Sequence, residues 1–306
     1  MVFYDFAQDI YGILRGVRIS MPIKEYFKPE GLELVQELIA TSPIPVKLSA
    51  GCTDLTRQLS QKQSPPTRLI SLKNIPALQG IRECGEGEIF IGAVVSHADI
   101  ARSPLLLRFF PALAKASGLV AAPSIRNMGT IGGNISNASP SADTAPPLLA
   151  YDANAVIWNP AGEKIIPVEQ MFAGPSVSIL KTGEVLKGFL LKPQTGLVAD
   201  YEKLGVRKAM EVALVSVCIA IQLDEKDVCN KIRIALGAVA PTPMRAKKAE
   251  ATLTAKKITP ALIKETAERA IKEIAPITDI RASAGYRTKM TGALIERILC
   301  DLLDHI

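Results

Sequence analysis

Between residues 121 and 141 the chain stops alternating between strand-like and helix-like segments. The stretch AAPSIRNMGTIGGNISNASPS holds Gly129, Gly132 and Gly133 among Asn127, Asn134, Ser136, Asn137 and Ser139. It reads as a polar, glycine-rich loop. A loop of about 20 residues without secondary structure is uncommon in a compact domain and is usually functional. Packed elements have to hold such a loop from both sides, and the flanking sequence supplies them.

Residues 30–40 predict a helix, because Leu34 and Leu38, and Val35 and Ile39, recur at i, i+4. Residues 45–49 predict a short strand, 50–52 a turn, 53–61 a second helix and 68–72 a strand. Two hairpin strands, 81–84 and 88–91, flank Gly85-Glu86-Gly87. Ser103-Pro104 opens a helix over 105–119. Beyond the loop come a helix over 143–149 and strands over 155–158 and 164–167, joined by a turn at 159–162. After about Pro193 the texture changes. Strands over 212–223 and 231–236 precede helices over 246–254, 260–274 and 289–303, the last with Leu294, Ile298 and Leu302 on one stripe. This order predicts an α+β protein of at least two domains.

Composition removes several function classes. Lys plus Arg number 36 and Asp plus Glu 30, so the formal charge is 36 − 30 = +6. Hydrophobic residues at 48% and charged residues at 22% exclude a disordered chain, collagen or a coiled coil. The longest basic cluster is Arg245, Lys247 and Lys248, and aromatics at 5% give few stacking platforms, so no nucleic acid is expected. The most apolar run, 212–221, is far short of the roughly 20 residues of a membrane span and reads as a buried strand. Asp5 and Asp9 stand where a signal peptide is positive, which points to the cytoplasm. Cys52, Cys84, Cys218, Cys229 and Cys300 form no C-x-x-C pair, and His97 and His305 are too few for a metal set or a catalytic triad. His305 is expected to fray. His97 is expected in the first turn of a helix capped by Ser96.

Two turns carry the candidate chemistry. In the first, Lys47-Leu48-Ser49-Ala50-Gly51-Cys52-Thr53-Asp54-Leu55, a strand runs through small residues into a helix start. Such a turn lets backbone N–H groups approach an anion. It also reads as a plain strand–turn–helix with Thr53 or Asp54 as cap. In the second, Thr130-Ile131-Gly132-Gly133-Asn134, paired glycines can turn successive N–H groups inward as an anion nest, or simply make a turn. Asp143 follows; it either caps the helix ahead of Pro146-Pro147 or accepts hydrogen bonds from sugar hydroxyls. Neither turn is G-x-G-x-x-G, and no G-x-x-x-x-G-K-[ST] occurs, so a Rossmann site and a P-loop are disfavoured. Two anion turns with a hydroxyl-binding acid suit a dinucleotide with a diphosphate bridge.

These stretches make the chain resemble the FAD-binding medium subunit of the molybdenum hydroxylase family, which includes the carbon monoxide dehydrogenase medium chain and the flavin domain of xanthine dehydrogenase. The matching segments are SAGCTDL at 49–55, SIRNMGTIGGNISNASPSADTAPPLLAYDA at 124–153, YEKLGVRKAMEVALVSV at 201–217, RIALGAVAPTPMRAKKAE at 233–250 and DIRASAGYR at 279–287. The resemblance implies an extension over 1–20 and an FAD-binding domain over 21–195 made of two α/β lobes, of the vanillyl-alcohol-oxidase type. A smaller α+β C-terminal domain over 196–306 would follow. It implies noncovalent FAD, with Lys47 to Leu55 and Thr130 to Asn134 bracketing the diphosphate. Asp143 would bind ribose or ribityl hydroxyls, and Leu186 and Lys203 would lie by the ring system. It also implies two partners, a large chain with the molybdenum cofactor and a small chain with 2Fe-2S clusters, in a dimer of heterotrimers. The flavin chain would pass electrons from the 2Fe-2S chain to an outside acceptor, with no catalytic acid or nucleophile of its own.

Two departures matter. Cys52 stands where the family usually has glycine, so either the local φ is negative or the thiol points away from FAD. No cysteines are placed for the four-iron cluster of relatives that reduce aromatic thioesters. Two other readings remain: a stand-alone flavin enzyme of the same fold, like the reductase that makes UDP-N-acetylmuramate or an oxidase of small alcohols, and a non-enzymatic protein that has lost flavin. The C-terminal third argues against the first, and the intact TIGGN turn with Asp143 against the second.

Overall fold

The computed structural model describes residues 22–60, 65–207 and 210–304. The leader over 1–20 and His305 lie outside the described residues. A small lobe opens the fold as a parallel three-stranded sheet, with Thr67–Ser71 between Ile23–Phe27 and Val46–Ser49. All five residues of the central strand are buried. Helix Leu32–Ala40 packs Leu32, Val35, Leu38 and Ile39 in the cluster around Ile70, while Leu34 of the expected pairs is 44% exposed.

The second lobe is an antiparallel sheet of five strands in the order Ile81–Glu83, Ile89–Gly92, Val185–Leu191, Asn154–Asn159, Gly162–Pro167. Short helices between Gly92 and Asn154 cover it. The expected helix over 105–119 is two, Pro104–Phe109 and Pro111–Gly118. Pro111 forces the break, since the residue before a proline is pushed out of the helical region, and Phe110 sits at φ −138 and ψ 55. The expected loop over 121–141 is also mostly ordered, as helices Pro123–Met128 and Ile131–Ser136. Each is only six residues long, too short for periodicity to register.

A third sheet, Val198–Leu204, Val215–Leu223, Cys229–Gly237, Met244–Arg245, is antiparallel throughout. Its second strand is apolar at nearly every position because both faces are covered. Val215, Val217, Ile219 and Ile221 pack toward helices Lys247–Leu253, Pro260–Ala270 and Ala284–Asp304. Cys218 and Ala220 face the other way, into the core built around helix Ala145–Ala150. Small side chains on that face let the two units approach closely: a Cβ on Gly237 would lie 3.1 Å from Pro146 Cγ. A charged hub seals the same junction, where Asp152 accepts from Arg233, Arg245 and Lys231. Among the described residues, no helix is long and apolar enough to cross a membrane.

Candidate functional site

The first turn leaves the buried Ser49 and folds directly onto the second. A Cβ on Gly51 would lie 2.7 Å from Gly129 Cα and closer still to the Met128 carbonyl oxygen, so no side chain fits between the two backbones. Beyond this contact the N–H groups of residues 50–55 have no acceptor among the described residues. Gly51 is buried, Asp54 exposed and the other four between, and donors leading into a helix start have no intrahelical acceptor, so this row is free for a ligand or water. The expected capping does not occur: helix Leu55–Leu59 starts after Asp54 with no side-chain cap. Cys52 takes φ 58. This is the left-handed conformation that glycine favours, so of the two expectations for Cys52 the negative φ does not hold. Lys47 is exposed and Leu48 half-buried on the strand leading in.

The second turn differs from the expected nest. Ile131 N–H donates to Val95 O at 3.1 Å and Gly132 N–H to Ala93 O at 2.9 Å. Gly133 N–H donates to Thr130 Oγ1 at 3.1 Å and Asn134 N–H to Thr130 O at 2.9 Å. These four donors are spent on the protein, so this turn is a rigid wall, and only the Thr130 N–H lacks an acceptor among the described residues. Gly132 is required because a Cβ would lie 2.6 Å from Ala93. A Cβ on Gly133 would meet Thr130 Oγ1 at 3.0 Å and nothing else within 4 Å, so its remaining face is open.

His97 supports this wall from beneath. Its N–H donates to Gly129 O at 3.0 Å, and Ser96 Oγ caps its helix by accepting from Asp99 N–H, as the sequence implied. Its imidazole is 3% exposed, and Nδ1 has no partner. Burial, and after it the nearby Arg126, lowers its pKa from 6.5 to about 4. That burial is not legible in a lone histidine at a helix start.

Asp143 and Lys203, sixty residues apart, do meet. Lys203 Nζ donates to Asp143 Oδ2 at 2.8 Å, and Tyr201 Oη donates to Asp143 Oδ1 at 3.0 Å. Tyr201 and Lys203 are two apart on strand Val198–Leu204 and therefore share a face. Burial pushes the Asp143 carboxyl upward, against the pull of Lys203 and the Tyr201 hydroxyl. Asp143 lies outside helix Ala145–Ala150 and does not cap it. Leu186 packs in the hydrophobic core, 5% exposed. Its backbone borders the site, because the neighbouring Lys187 O accepts from Ala93 N–H.

A cavity of about 500 Å³ opens beside the turn contact, lined by Lys73, Asn74, Ser96, Asn127 and Met128 among others. Met128 faces both the cavity and Gly51. Sequence reading missed this cavity, since Lys73 and Asn127 carry no local signal. Helix Pro123–Met128 joins the cavity to the Lys203 side, where Lys203 Nζ donates to Leu119 O and Arg126 to Val120 O.

The family described as the FAD binding domain in molybdopterin dehydrogenase matches residues 20–191. The chain belongs to that family. A second family, the CO dehydrogenase flavoprotein C-terminal domain, matches residues 200–302. Among relatives, the carbon monoxide dehydrogenase medium chain of Hydrogenophaga pseudoflava is 32% identical over 91% of this chain and 96% of its own. The xanthine dehydrogenase FAD-binding subunit of Escherichia coli O157:H7 is 30% identical over 86% of this chain and 90% of its own. Among solved structures, the fold is similar to one of carbon monoxide dehydrogenase from Hydrogenophaga pseudoflava that lacks the Mo-pyranopterin moiety of the molybdenum cofactor. There the TM-score is 0.85 at 33% identity, covering 90% of this chain and 95% of that one. Among the described residues, no group of three or more His, Cys, Asp or Glu side chains could hold a metal ion.

Proposed function

We propose that this chain is the FAD-carrying electron-transfer subunit of a molybdenum-containing hydroxylase or dehydrogenase, receiving electrons from a 2Fe-2S chain and passing them to an external acceptor. One observation carries the reading of the site: the six N–H groups of residues 50–55 have no acceptor among the described residues, on a turn whose Gly51 lies directly against the backbone of Met128 and Gly129. An oxygen-rich diphosphate is the ligand such a row fits.

Bound FAD supplies the redox chemistry, and the chain supplies binding and orientation. Ala50 to Leu55 would donate to the diphosphate through their backbones, with Ser49, Lys47 and Leu48 fixing the strand that delivers them. Thr130 to Asn134 form the opposing wall, and Gly133 presents it without a side chain. The cavity beside Met128 gives room for one end of a dinucleotide. Asp143, Lys203 and the backbone at Leu186 border the rest. No residue forms a covalent link to FAD in this reading; the buried His97 lies behind the wall. The boundary between the FAD-binding domain, 21–195, and the C-terminal domain, 196–306, falls just before strand Val198–Leu204.

The relatives' names, medium chain and FAD-binding subunit, support an assembly with other chains; in this reading those are a large molybdenum chain and a small 2Fe-2S chain, in a cytoplasmic dimer of heterotrimers. The deciding experiment is native mass, flavin and metal analysis of the tagged protein from its own cells, with turnover assays of the separated chain. The expected result is acid-releasable FAD, co-purifying molybdenum and iron chains, and no oxidation of aldehydes, purines or N-heterocycles by the separated chain. A monomer with full turnover and no partner supports a stand-alone flavin enzyme instead.

A further inference from the structure

Lys203 ends in three hydrogen bonds: to Asp143 Oδ2 at 2.8 Å, to Leu119 O at 3.2 Å and to Glu211 O at 3.2 Å. An ammonium has three protons, so none is left for a ligand. Its charge is answered by Asp143, and the two side chains are 2% and 9% exposed. A lysine in this setting is a clasp joining three segments rather than a free positive charge. Tyr201, fully buried, completes the arrangement through Asp143 Oδ1.

We propose that Tyr201 is a positioning residue for the cofactor cleft: its hydroxyl fixes the Asp143 carboxylate toward Lys203, and this neutral pair fastens Glu211 and the adjoining residues 210–212 beside Leu119 at the cleft wall. The inference rests on the FAD reading above. Among the described residues nearby, Ala213 and Leu214 are buried and Leu214 O accepts from Arg287, whereas residues 205–207 and 210–212 make few bonds. Met210 N–H donates to Ala121 O at 3.3 Å, Leu214 N–H to Leu204 O at 2.8 Å, and Arg207 N–H to the Glu211 carboxylate at 3.1 Å. Val206 and Met210 are more than half exposed. Without the Tyr201 hydroxyl, Asp143 loses one of its two donors and its protonated form becomes more favourable. Lys203 then carries charge that nothing cancels, and its hold on Glu211 O loosens.

The test uses the flavin-loaded protein as it purifies from its own cells, with any accompanying chains. Tyr201→Phe should weaken FAD binding about tenfold, the effect of one lost hydrogen bond to a charged group. It should also raise the midpoint potential of the bound flavin and speed tryptic cleavage after Arg207. Asp143→Asn should raise the potential further, and Lys203→Met should lower it, because one removes a negative and the other a positive charge. Lys115→Ala breaks an exposed ion pair to Asp200 on the same strand and should change none of these readings. If Tyr201→Phe does not fold, the opposite shifts of the other two variants carry the test. Flavin-loaded wild type with Tyr201→Phe indistinguishable from Lys115→Ala, or potentials moving the same way in Asp143→Asn and Lys203→Met, overturns the inference alone. Wild type without FAD overturns the cofactor reading and this inference together.

Discussion

Replacing Gly51 by alanine adds a single methyl group at the point where the two turns touch. That carbon would stand 2.7 Å from Gly129 Cα and 2.9 Å from the Met128 carbonyl carbon, both backbone atoms. Carbon atoms pack at about 3.5–4.0 Å, so the turns must separate by about 1 Å. The second turn cannot yield freely. Gly129 N–H donates to Ile125 O at 2.6 Å, and Gly129 O accepts from His97 N–H at 3.0 Å. Overpacking costs about 1–3 kcal/mol, and a strained or lost backbone hydrogen bond adds about 1 kcal/mol, so Gly51→Ala should destabilise the chain by about 2–4 kcal/mol. Urea unfolding followed by circular dichroism measures this, and flavin absorbance of the purified variant gives its occupancy. Both should fall. Gly133→Val supplies the contrast. Its Cβ faces open space apart from Thr130 Oγ1, and its φ is not in the left-handed region. The variant should fold and melt near wild type yet lose most FAD, by collision with the ligand alone. Gly51→Ala with unchanged unfolding and full occupancy would refute the back-to-back arrangement of the turns.

Cys52→Gly should stabilise the chain by about 0.5–1 kcal/mol in urea, since the left-handed conformation costs a non-glycine residue about 1–2 kcal/mol and glycine's extra freedom returns about 0.5–1 kcal/mol of it. Cys52→Ala, which keeps the strain and removes the sulfur, should bind FAD within about tenfold of wild type; a hundredfold loss would show that the thiol contributes. His97 titrates at about 4 when folded and 6.5 when unfolded. The unfolded chain therefore binds the proton more readily. The stability this histidine gives is fully present above pH 6.5 and is lost as pH falls toward 4. The depression of 6.5 − 4 = 2.5 corresponds to about 3 kcal/mol. Unfolding followed from pH 7 to 4.5 should show that slope, and His97→Gln should remove it; an equal slope in the variant contradicts the assignment.

Much of the frame is legible in the sequence because its elements carry their own pattern. Residues 32–40 show a helical stripe, and residues 215–223 show the uninterrupted apolar run of a strand covered on both faces. The positions of the two turns are legible too, since Gly51 and Gly132 serve close backbone approaches that only glycine allows. What is not legible is how their hydrogen bonds are spent. Whether Gly132 N–H faces a ligand or Ala93 O depends on a strand forty residues upstream. Local periodicity also fails at residues 123–136, where helices of under two turns are held by tertiary contacts. The meeting of Asp143 with Tyr201 and Lys203 follows from the packing of one sheet on another unit, which no local spacing encodes.

The unequal state of the two turns bears on the life of the chain before assembly. Among the described residues the wall at 130–134 leaves one N–H, that of Thr130, without an acceptor, whereas all six donors at 50–55 are left to water or a cofactor. Any ligand that binds only the folded form stabilises it by mass action, by about 2.7 kcal/mol at a hundred times its dissociation constant. Newly made chains would therefore differ in durability with the flavin available to them. The lobe carrying residues 50–55 is the part whose stability should depend most on flavin, so the amount of chain surviving in flavin-starved cells should fall.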